Sequence, residues 1–267
     1  MGDRFAFGKN WSRFLRTLDP PRIERAKRSL LEMLDVDTLA EKSFLDAGSG
    51  SGLFSLAARQ LGARVRSFDF DPESVECTRR LKDRYQPNDP QWTVEEGSVL
   101  DVEYLRRLGR FEVVYCWGVL HHTGDLWTAL GNLVPLVADG GLLMAAIYND
   151  QGRASRTWRK IKALYNRLPG VLRPLVLLPA AVRLWGPTTI RDLLRLQPGR
   201  TWRDYAQQRG MSPWHDVVDW VGGYPFEVAK PEQVIDFCRA AGLELRKLKT
   251  CGSGRGCNEF VFQRKNP

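Results

Sequence analysis

Asp46-Ala47-Gly48-Ser49-Gly50-Ser51-Gly52 sets an acid two positions before the first of three alternating glycines. Glycine lets a backbone take positive φ and approach a ligand with no Cβ in the way. A helix opening behind such a loop turns unpaired N–H groups toward the same space. Loops of this kind usually cradle a pyrophosphate, which a carboxylate at Asp46 would repel. The pattern therefore favours a ligand with a positive group and no phosphate over a dinucleotide. A second acid, Asp69, ends the stretch Arg64-Val65-Arg66-Ser67-Phe68, seventeen residues after Gly52. One carboxylate there can accept both hydroxyls of a ribose.

The other candidates are groups that move a proton or align an acceptor. The chain has three histidines. His121 and His122 follow the apolar run Phe111 to Cys116, and either also suits a structural role, bonding a neighbouring loop. His215 stands beside Asp216, where a residue of a capping helix is the alternative. Tyr148 and Asn149 leave the run Leu142 to Ile147. A hydroxyl acceptor must lose its proton as its new bond forms, which is work for a general base such as imidazole. No group of residues has metal-ligand spacing. The five cysteines (Cys77, Cys116, Cys238, Cys251, Cys257) are scattered and odd in number, as in a reducing compartment. Cys251 and Cys257 flank a glycine-rich stretch that reads as a hairpin connection rather than a disulfide or zinc loop.

These groups need a frame, and the periodicity supplies one. Phe44-Leu45 leads into the glycine loop as a strand, and Leu56 to Leu61 leaves it as a helix. Arg64–Asp69 alternates like a second strand; Asp71 and Pro72 then provide an N-cap and a first helical residue. Trp92–Ser98 is a third strand, and Phe111–Cys116 a fourth, apolar enough for a buried parallel position. Leu126–Val137 has helical periodicity, Leu142–Tyr148 is a fifth strand, and Leu243–Thr250 and Asn258–Gln263 form a final pair after a helix at Pro231–Ala241. Alternation of this kind predicts an open parallel sheet that binds ligands at the C-terminal ends of its strands.

The order of these blocks resembles the class I S-adenosylmethionine-dependent methyltransferases, and within them the small-molecule methylases related to ubiquinone biosynthesis. The resemblance is good over Phe44–Tyr148 and looser over Tyr224–Phe262. It implies a seven-stranded, mostly parallel, doubly wound (Rossmann-like) α/β sheet with an antiparallel last strand, plus a helical lid insertion. It implies S-adenosylmethionine as co-substrate, no metal, and methyl transfer to a small, hydroxylated, lipophilic acceptor. RNA or protein substrates, a thiol or amine acceptor, and a binding protein without catalysis are the alternatives. The cofactor contacts it implies are Asp46, Gly48, Ser49, Gly50, Gly52, Asp69, Phe70, Ser98, Val99, Cys116 and Trp117; the residues nearest the chemistry are His122, His121, His215, Tyr148 and Asn149. The family often carries an acid after the third-strand glycine to hold the adenine amino group. Here Ser98 follows Gly97, which leaves Ser98, the Val99 backbone or Asp101 for that task.

At 267 residues the chain can form one large α/β domain. Its expected organisation is a helical lid at 1–40, a cofactor-binding core at 41–150, a basic helical cap at 151–222 and a helix with a strand hairpin at 223–267 that completes the core. Phe5, Phe7, Trp11 and Phe14 either close over the cofactor or simply pack. Charge is uneven. Gln151–Gly210 holds thirteen Lys and Arg against two acids, whereas the rest holds 27 against 29, so the net +9 resides in the cap. Inside it, Leu172–Trp185 is an apolar run with proline breaks, framed by Arg173 and Arg183. An anionic membrane surface met through Arg173–Trp185 is one reading. A nucleic-acid surface using Trp158, Tyr165, Trp185 and Trp202 is the least favoured, and a cap that only covers the substrate pocket is the plainest. Met1 to Asn10 lacks the apolar centre of a signal peptide, and no apolar run reaches the ~20 residues of a membrane span. The expectation is a cytoplasmic protein, with the cap offering peripheral contact at the inner face of a membrane.

Overall fold

The computed structural model describes residues 7–209, 213–252, 254 and 256–266. Its strands are β1 (Ser43–Ala47), β2 (Arg64–Asp69), β3 (Trp92–Glu96), β4 (Phe111–Trp117), β5 (Val137–Tyr148), β6 (Leu243–Lys249) and β7 (Cys257–Arg264). They form one sheet in the order β3-β2-β1-β4-β5-β7-β6. Pairing is parallel from β3 through β5, and β7 runs antiparallel between β5 and β6. Chain order reverses between β1 and β4, and the crevice beyond the carboxyl ends of those strands is where such sheets bind ligands.

The helices are α1 (Gly8–Arg16), α2 (Pro20–Leu34), α3 (Leu53–Gln60), α4 (Pro72–Tyr85), α5 (Val102–Leu108), α6 (Leu126–Leu133), α7 (Arg153–Arg167), α8 (Pro174–Leu194), α9 (Arg200–Arg209), α10 (Pro213–Gly222) and α11 (Pro231–Ala240). Strand alternation sorts the side chains. Leu45, Val114 and Cys116 pack on the α5–α6 side of the sheet, and Phe44, Val113 and Tyr115 on the α2–α3 side. The cap has its own small core, with Tyr165, Leu177, Ala180, Val217 and Val221 buried between α7, α8 and α10.

Three elements depart from the expected boundaries. β5 starts at Val137, ahead of the Asp139-Gly140-Gly141 turn, and its register against β4 shifts between Phe111 and Val113 where that extra chain is absorbed. The helix expected over Leu126–Val137 stops at Leu133, and Val134–Leu136 continues as a 3-10 turn that contains Pro135. The proline breaks expected near Leu172–Trp185 do not end a helix, because α8 runs through Pro179 and Pro187. Both prolines are exposed, and the Thr188 and Thr189 hydroxyls donate to the Trp185 carbonyl beside the second. Pro213 opens α10.

Candidate active site

The glycine loop joins β1 to α3. Gly48, Gly50 and Gly52 have φ of 85°, 55° and 79°, a region that disfavours side chains. The N–H groups of Gly48 and Ser49 donate to the Phe68 carbonyl at 2.8 and 3.0 Å, tying the loop to the end of β2. At that end Asp69 receives the Gly50 N–H on Oδ2 and the Asp71 N–H on Oδ1, both at 2.9 Å. Backbone fixes both oxygens, with the Phe70 N–H as a third donor to the carboxylate. Burial pushes the carboxyl up to about 6, against the lowering effect of those N–H bonds.

Asp69 lines a cavity of about 370 Å³ at the carboxyl ends of β1, β2 and β4. Of the residues expected to bind cofactor, Gly48, Gly50, Asp69, Phe70, Ser98, Val99 and Trp117 line it, as does His122. Asp46, Ser49, Gly52 and Cys116 do not. Asp46 is 2% exposed and sits beneath the loop, where its Oδ2 accepts the Ser55 hydroxyl at 2.5 Å. Ser55 in turn accepts from Ser67, and Ser67 from the Trp92 indole, both at 2.8 Å. This buried chain locks β1, β2, β3 and α3 around the loop. Asp46 frames the ligand's seat rather than touching it, and burial pushes its carboxyl up to about 7. Ser49 shares a 3.0 Å bond with Thr78, and the Gly52 backbone packs against Thr78. Cys116 faces the core because strand alternation gives the cavity side to its neighbour Trp117, and burial raises its thiol far above the ordinary value. Asp101 is spent as the N-cap of α5, accepting the Tyr104 N–H at 3.0 Å.

The N-terminal helix covers this seat. Phe7 and Trp11 line the cavity; a Cβ on Gly50 would stand 3.1 Å from the Trp11 indole, and one on Gly48 2.3 Å from Val119. The Gly8 N–H donates to Asp71 Oδ2 at 2.9 Å, which pins α1 to the start of α4. Phe14 instead packs against the core, and Phe5 lies outside the described residues.

The paired histidines have opposite roles. His121 is 1% exposed, accepts the Tyr148 N–H on Nδ1 at 3.3 Å and stacks on the Tyr148 ring at 3.8 Å. Burial holds its imidazole well below the ordinary value, so it is a neutral brace between the β4 turn and β5. His122 faces the cavity, with Nδ1 2.7 Å from the Pro225 carbonyl. A carbonyl only accepts, so Nδ1 carries the proton and Nε2 the lone pair. Burial pushes this imidazole down to about 3, hence it too is neutral. Gly223 makes room for it, since a Cβ there would fall 2.9 Å from its Cε1. Phe7 approaches the same ring at 5.0 Å.

Tyr148 and Asn149 do not line the cavity. The Tyr148 ring lies behind the histidines, 5.4 Å from both Trp220 and Phe226. Asn149 holds the β6–β7 connection, donating to the Gly252 carbonyl at 3.2 Å and accepting from Asn258 at 3.1 Å. His215 has its backbone on α10, and its side chain lies outside the described residues. Pro225, which orients His122, and Tyr224, which lines the cavity, had no signal in residue type or spacing. Lys162 did have one: four after Trp158 and three before Tyr165, it sits on the apolar side of α7. It is fully buried, donates to the Trp220 carbonyl, and lies 4.3 and 4.7 Å from the Trp220 and Phe226 ring centres. Burial pushes its amine down to about 7.

A glycine loop facing a strand-end carboxylate across the sheet's switch point, closed by one antiparallel strand, defines the class I methyltransferase fold. A profile of the family described as methyltransferase domain matches residues 16–215, and the chain belongs to that family. Over 115 residues it is 30% identical to the ubiquinone biosynthesis O-methyltransferase of Escherichia fergusonii, covering 42% of this chain and 45% of that one. Over 141 residues it is 26% identical to the protein of the same description from Coxiella burnetii, covering 52% and 55%. The chain thus spans about half the length of the curated relatives it matches. Among solved structures, magnesium protoporphyrin IX methyltransferase from Synechocystis PCC 6803 with bound SAH superimposes with a TM-score of 0.56 at 14% identity, covering 91% of this chain and 84% of that one. PKMT2 from Rickettsia typhi gives 0.60 at 15% identity, covering 100% and 55%. At such identities the likeness is one of fold. Among the described residues no cluster of His, Cys, Asp and Glu could hold a metal ion.

Proposed function

We propose that the protein transfers a methyl group from S-adenosylmethionine to the hydroxyl of a small, lipophilic acceptor. The observation that carries this reading is one cavity shared by a ribose-type carboxylate, Asp69, and a neutral, tautomer-fixed imidazole, His122. The residues fit the cofactor. Asp69 faces the cavity with acceptor capacity left for a ribose hydroxyl, Phe70, Val99 and Leu100 offer apolar walls for a base, and Gly48 and Gly50 leave backbone exposed to an amino-acid moiety. When bound, the cofactor supplies a methyl on a sulfonium, already a good leaving group. The chain's own task is then alignment and exclusion of water.

Phe7 and Trp11 cover the seat, and with Trp117 and Tyr224 they give the cavity the aromatic lining that suits a lipophilic acceptor. His122 Nε2 accepts the hydroxyl proton and so aims an oxygen lone pair. A base with a conjugate acid near 3 is weak toward a resting alcohol. It suffices late in the reaction, because an oxygen that has begun to bond carbon becomes strongly acidic.

Calorimetry with S-adenosylhomocysteine tests the cofactor half. Asp69→Ala should weaken binding by roughly 2–4 kcal/mol, the loss of charge-assisted bonds in a half-buried site. Equal affinity in both proteins, or preference for NAD, overturns the reading. Screening hydroxylated aromatics with labelled cofactor tests the acceptor half, and methylation confined to thiols or amines overturns that half alone.

A further inference from the structure

The cap helix α8 turns aliphatic side chains outward. Leu175, Leu178, Val182, Ile190 and Leu193 are 68, 57, 70, 59 and 55% exposed. Their spacings of three, four, eight and three set them along one side of the helix. The opposite side is satisfied, with Leu177 and Ala180 buried against Val217 and Val221. The stripe is therefore not a core position awaiting a neighbour from its own cap. Soluble proteins seldom leave so many large aliphatics together without a partner.

Charge around the stripe has one sign. Arg183 flanks the stripe and is exposed, whereas Arg191 and Arg195, also exposed, stand beside Asp192 on the other side of the helix, where Arg191 donates to the Thr201 hydroxyl at 3.2 Å. Of the segment's two acids, Asp192 is 4% exposed and turned onto the start of α9, where it accepts the Thr201 N–H and hydroxyl at 2.7 Å each. Asp204 is paired with Arg200 at 3.5 Å.

We propose that α8 lies flat on an anionic lipid bilayer, its aliphatic stripe among the acyl chains and Arg183 at its edge on a headgroup phosphate. No helix among the described residues is long and apolar enough to cross a membrane, so contact is in the plane of the surface. Charge complementarity selects this occupant over a second copy of the chain, which would bring the same basic face against itself. The aromatic rings select it over RNA. Stacking on bases needs exposed ring faces, yet Trp185 and Trp202 pack on each other at 5.4 Å, Trp158 packs on Trp220 at 5.5 Å, and Tyr165 is 4% exposed. What remains outward on α8 is aliphatic, and aliphatic chains match lipid.

Co-sedimentation of the full chain with phosphatidylcholine vesicles, with and without phosphatidylglycerol, tests the proposal without reference to catalysis. Binding is expected only with the anionic lipid. Replacing Arg183 by Gln should weaken it by about fivefold. The triple variant Leu175→Ser, Leu178→Ser, Val182→Ser should weaken it by at least about a hundredfold, given the apolar area each side chain takes from water. These side chains are exposed, so a thermal melt should show the variant folded. No vesicle binding by the folded chain overturns the proposal, as does equal binding to neutral vesicles. Anionic binding untouched by the triple variant leaves only electrostatic adhesion and overturns the seating of α8. A dimer that the triple variant disperses, or RNA binding without vesicle binding, assigns the face to another partner and overturns it too.

Discussion

Around the glycine loop the protein hides charge, whereas along α8 it displays apolar surface, and both choices oppose the ordinary economy of folding. Asp46 and Asp69 are carboxylates pushed up to about 7 and about 6 by burial, a cost that bonds from Ser55 to the first and from the Gly50, Asp71 and Phe70 backbone to the second partly offset. Leu175, Leu178 and Val182 remain in water although the cap has a core of its own. The difference teaches where precision and where adaptability are placed. Backbone N–H groups fix the carboxylate that faces the cavity, so the seat proposed for the cofactor is set before any ligand arrives. The outer face of α8 is uncommitted inside the molecule. His122 sits where the two regions meet: the β4 turn carries it, and the chain just after α10 orients it through the Pro225 carbonyl.

The loop gives the largest expected effect. Gly50→Val forces a β-branched residue to φ of 55° and drives its Cβ toward the Trp11 indole. Calorimetry should find no S-adenosylhomocysteine binding, while the α8 triple variant binds like wild type. Loss of binding in both proteins would break the separation of the two regions.

His122→Ala sharpens the boundary between them. Turnover should fall by ~10²–10⁴ while cofactor affinity stays nearly unchanged. Turnover near wild type at pH 7 would remove the imidazole from the chemistry and move an acceptor that arrives as its own anion, such as a thiolate, to the front.

Acidity separates Asp69 from His122. Below pH 6 Asp69 takes a proton and loses its grip on hydroxyl donors, so the KM for cofactor should rise toward tenfold per pH unit. His122 stays neutral down to about 3, so kcat at saturating cofactor should show no histidine inflection between pH 5 and 8. A kcat inflection near 6.5 that disappears in His122→Ala would mean that the imidazole is solvated rather than buried.

The sequence made the core legible because its signals are local. Alternation, the N-cap at Asp71 and the glycine spacing each depend on residues a few positions apart, and the first five strands appear at or near their expected places. The site was legible in part. Gly48, Gly50, Asp69, Phe70 and Trp117 line the cavity because they follow strand ends, a position that residue order reveals. Depth is not local, so Asp46 and Cys116 could not be told from their neighbours: which face of a strand meets the cavity depends on the helices packed upon it. The bond from His122 to Pro225 spans 103 positions and left no trace in spacing. Neither did α8, where a helix tolerates Pro179 and Pro187 on its exposed side.

The smallest effect probes how the two regions are joined. Lys162 reaches from α7 into the aromatic cluster of Trp220 and Phe226, near both histidines, and burial lowers its amine from 10.5 to about 7 while Asp219 opposes the shift. Between those values the unfolded chain binds a proton that the folded chain does not. Stability should therefore rise with pH there, by at most about 1.4 kcal/mol per unit. Asp46 acts with the opposite sign and at lower pH: its raised carboxyl makes the folded chain the better proton binder between about 4 and about 7, so stability falls with pH over that range. Melts of wild type and Lys162→Met at pH 7.5, 8.5 and 9.5 isolate the lysine in their difference, since the buried thiols of Cys77, Cys116 and Cys238, raised by burial, lower the stability of both proteins alike as the unfolded thiols ionise. The Tm of wild type should climb by about 2–4 °C per unit relative to that of Lys162→Met, and at pH 7.5 the variant should match or exceed wild type, since a methionine occupies the same space with no amine to desolvate. A steep loss of stability in Lys162→Met at every pH would show instead that the cation–π contacts and the bond to the Trp220 carbonyl outweigh the burial of charge. The junction between core and cap would then be held by the same device as the cofactor seat, a buried ionisable group kept in place by backbone.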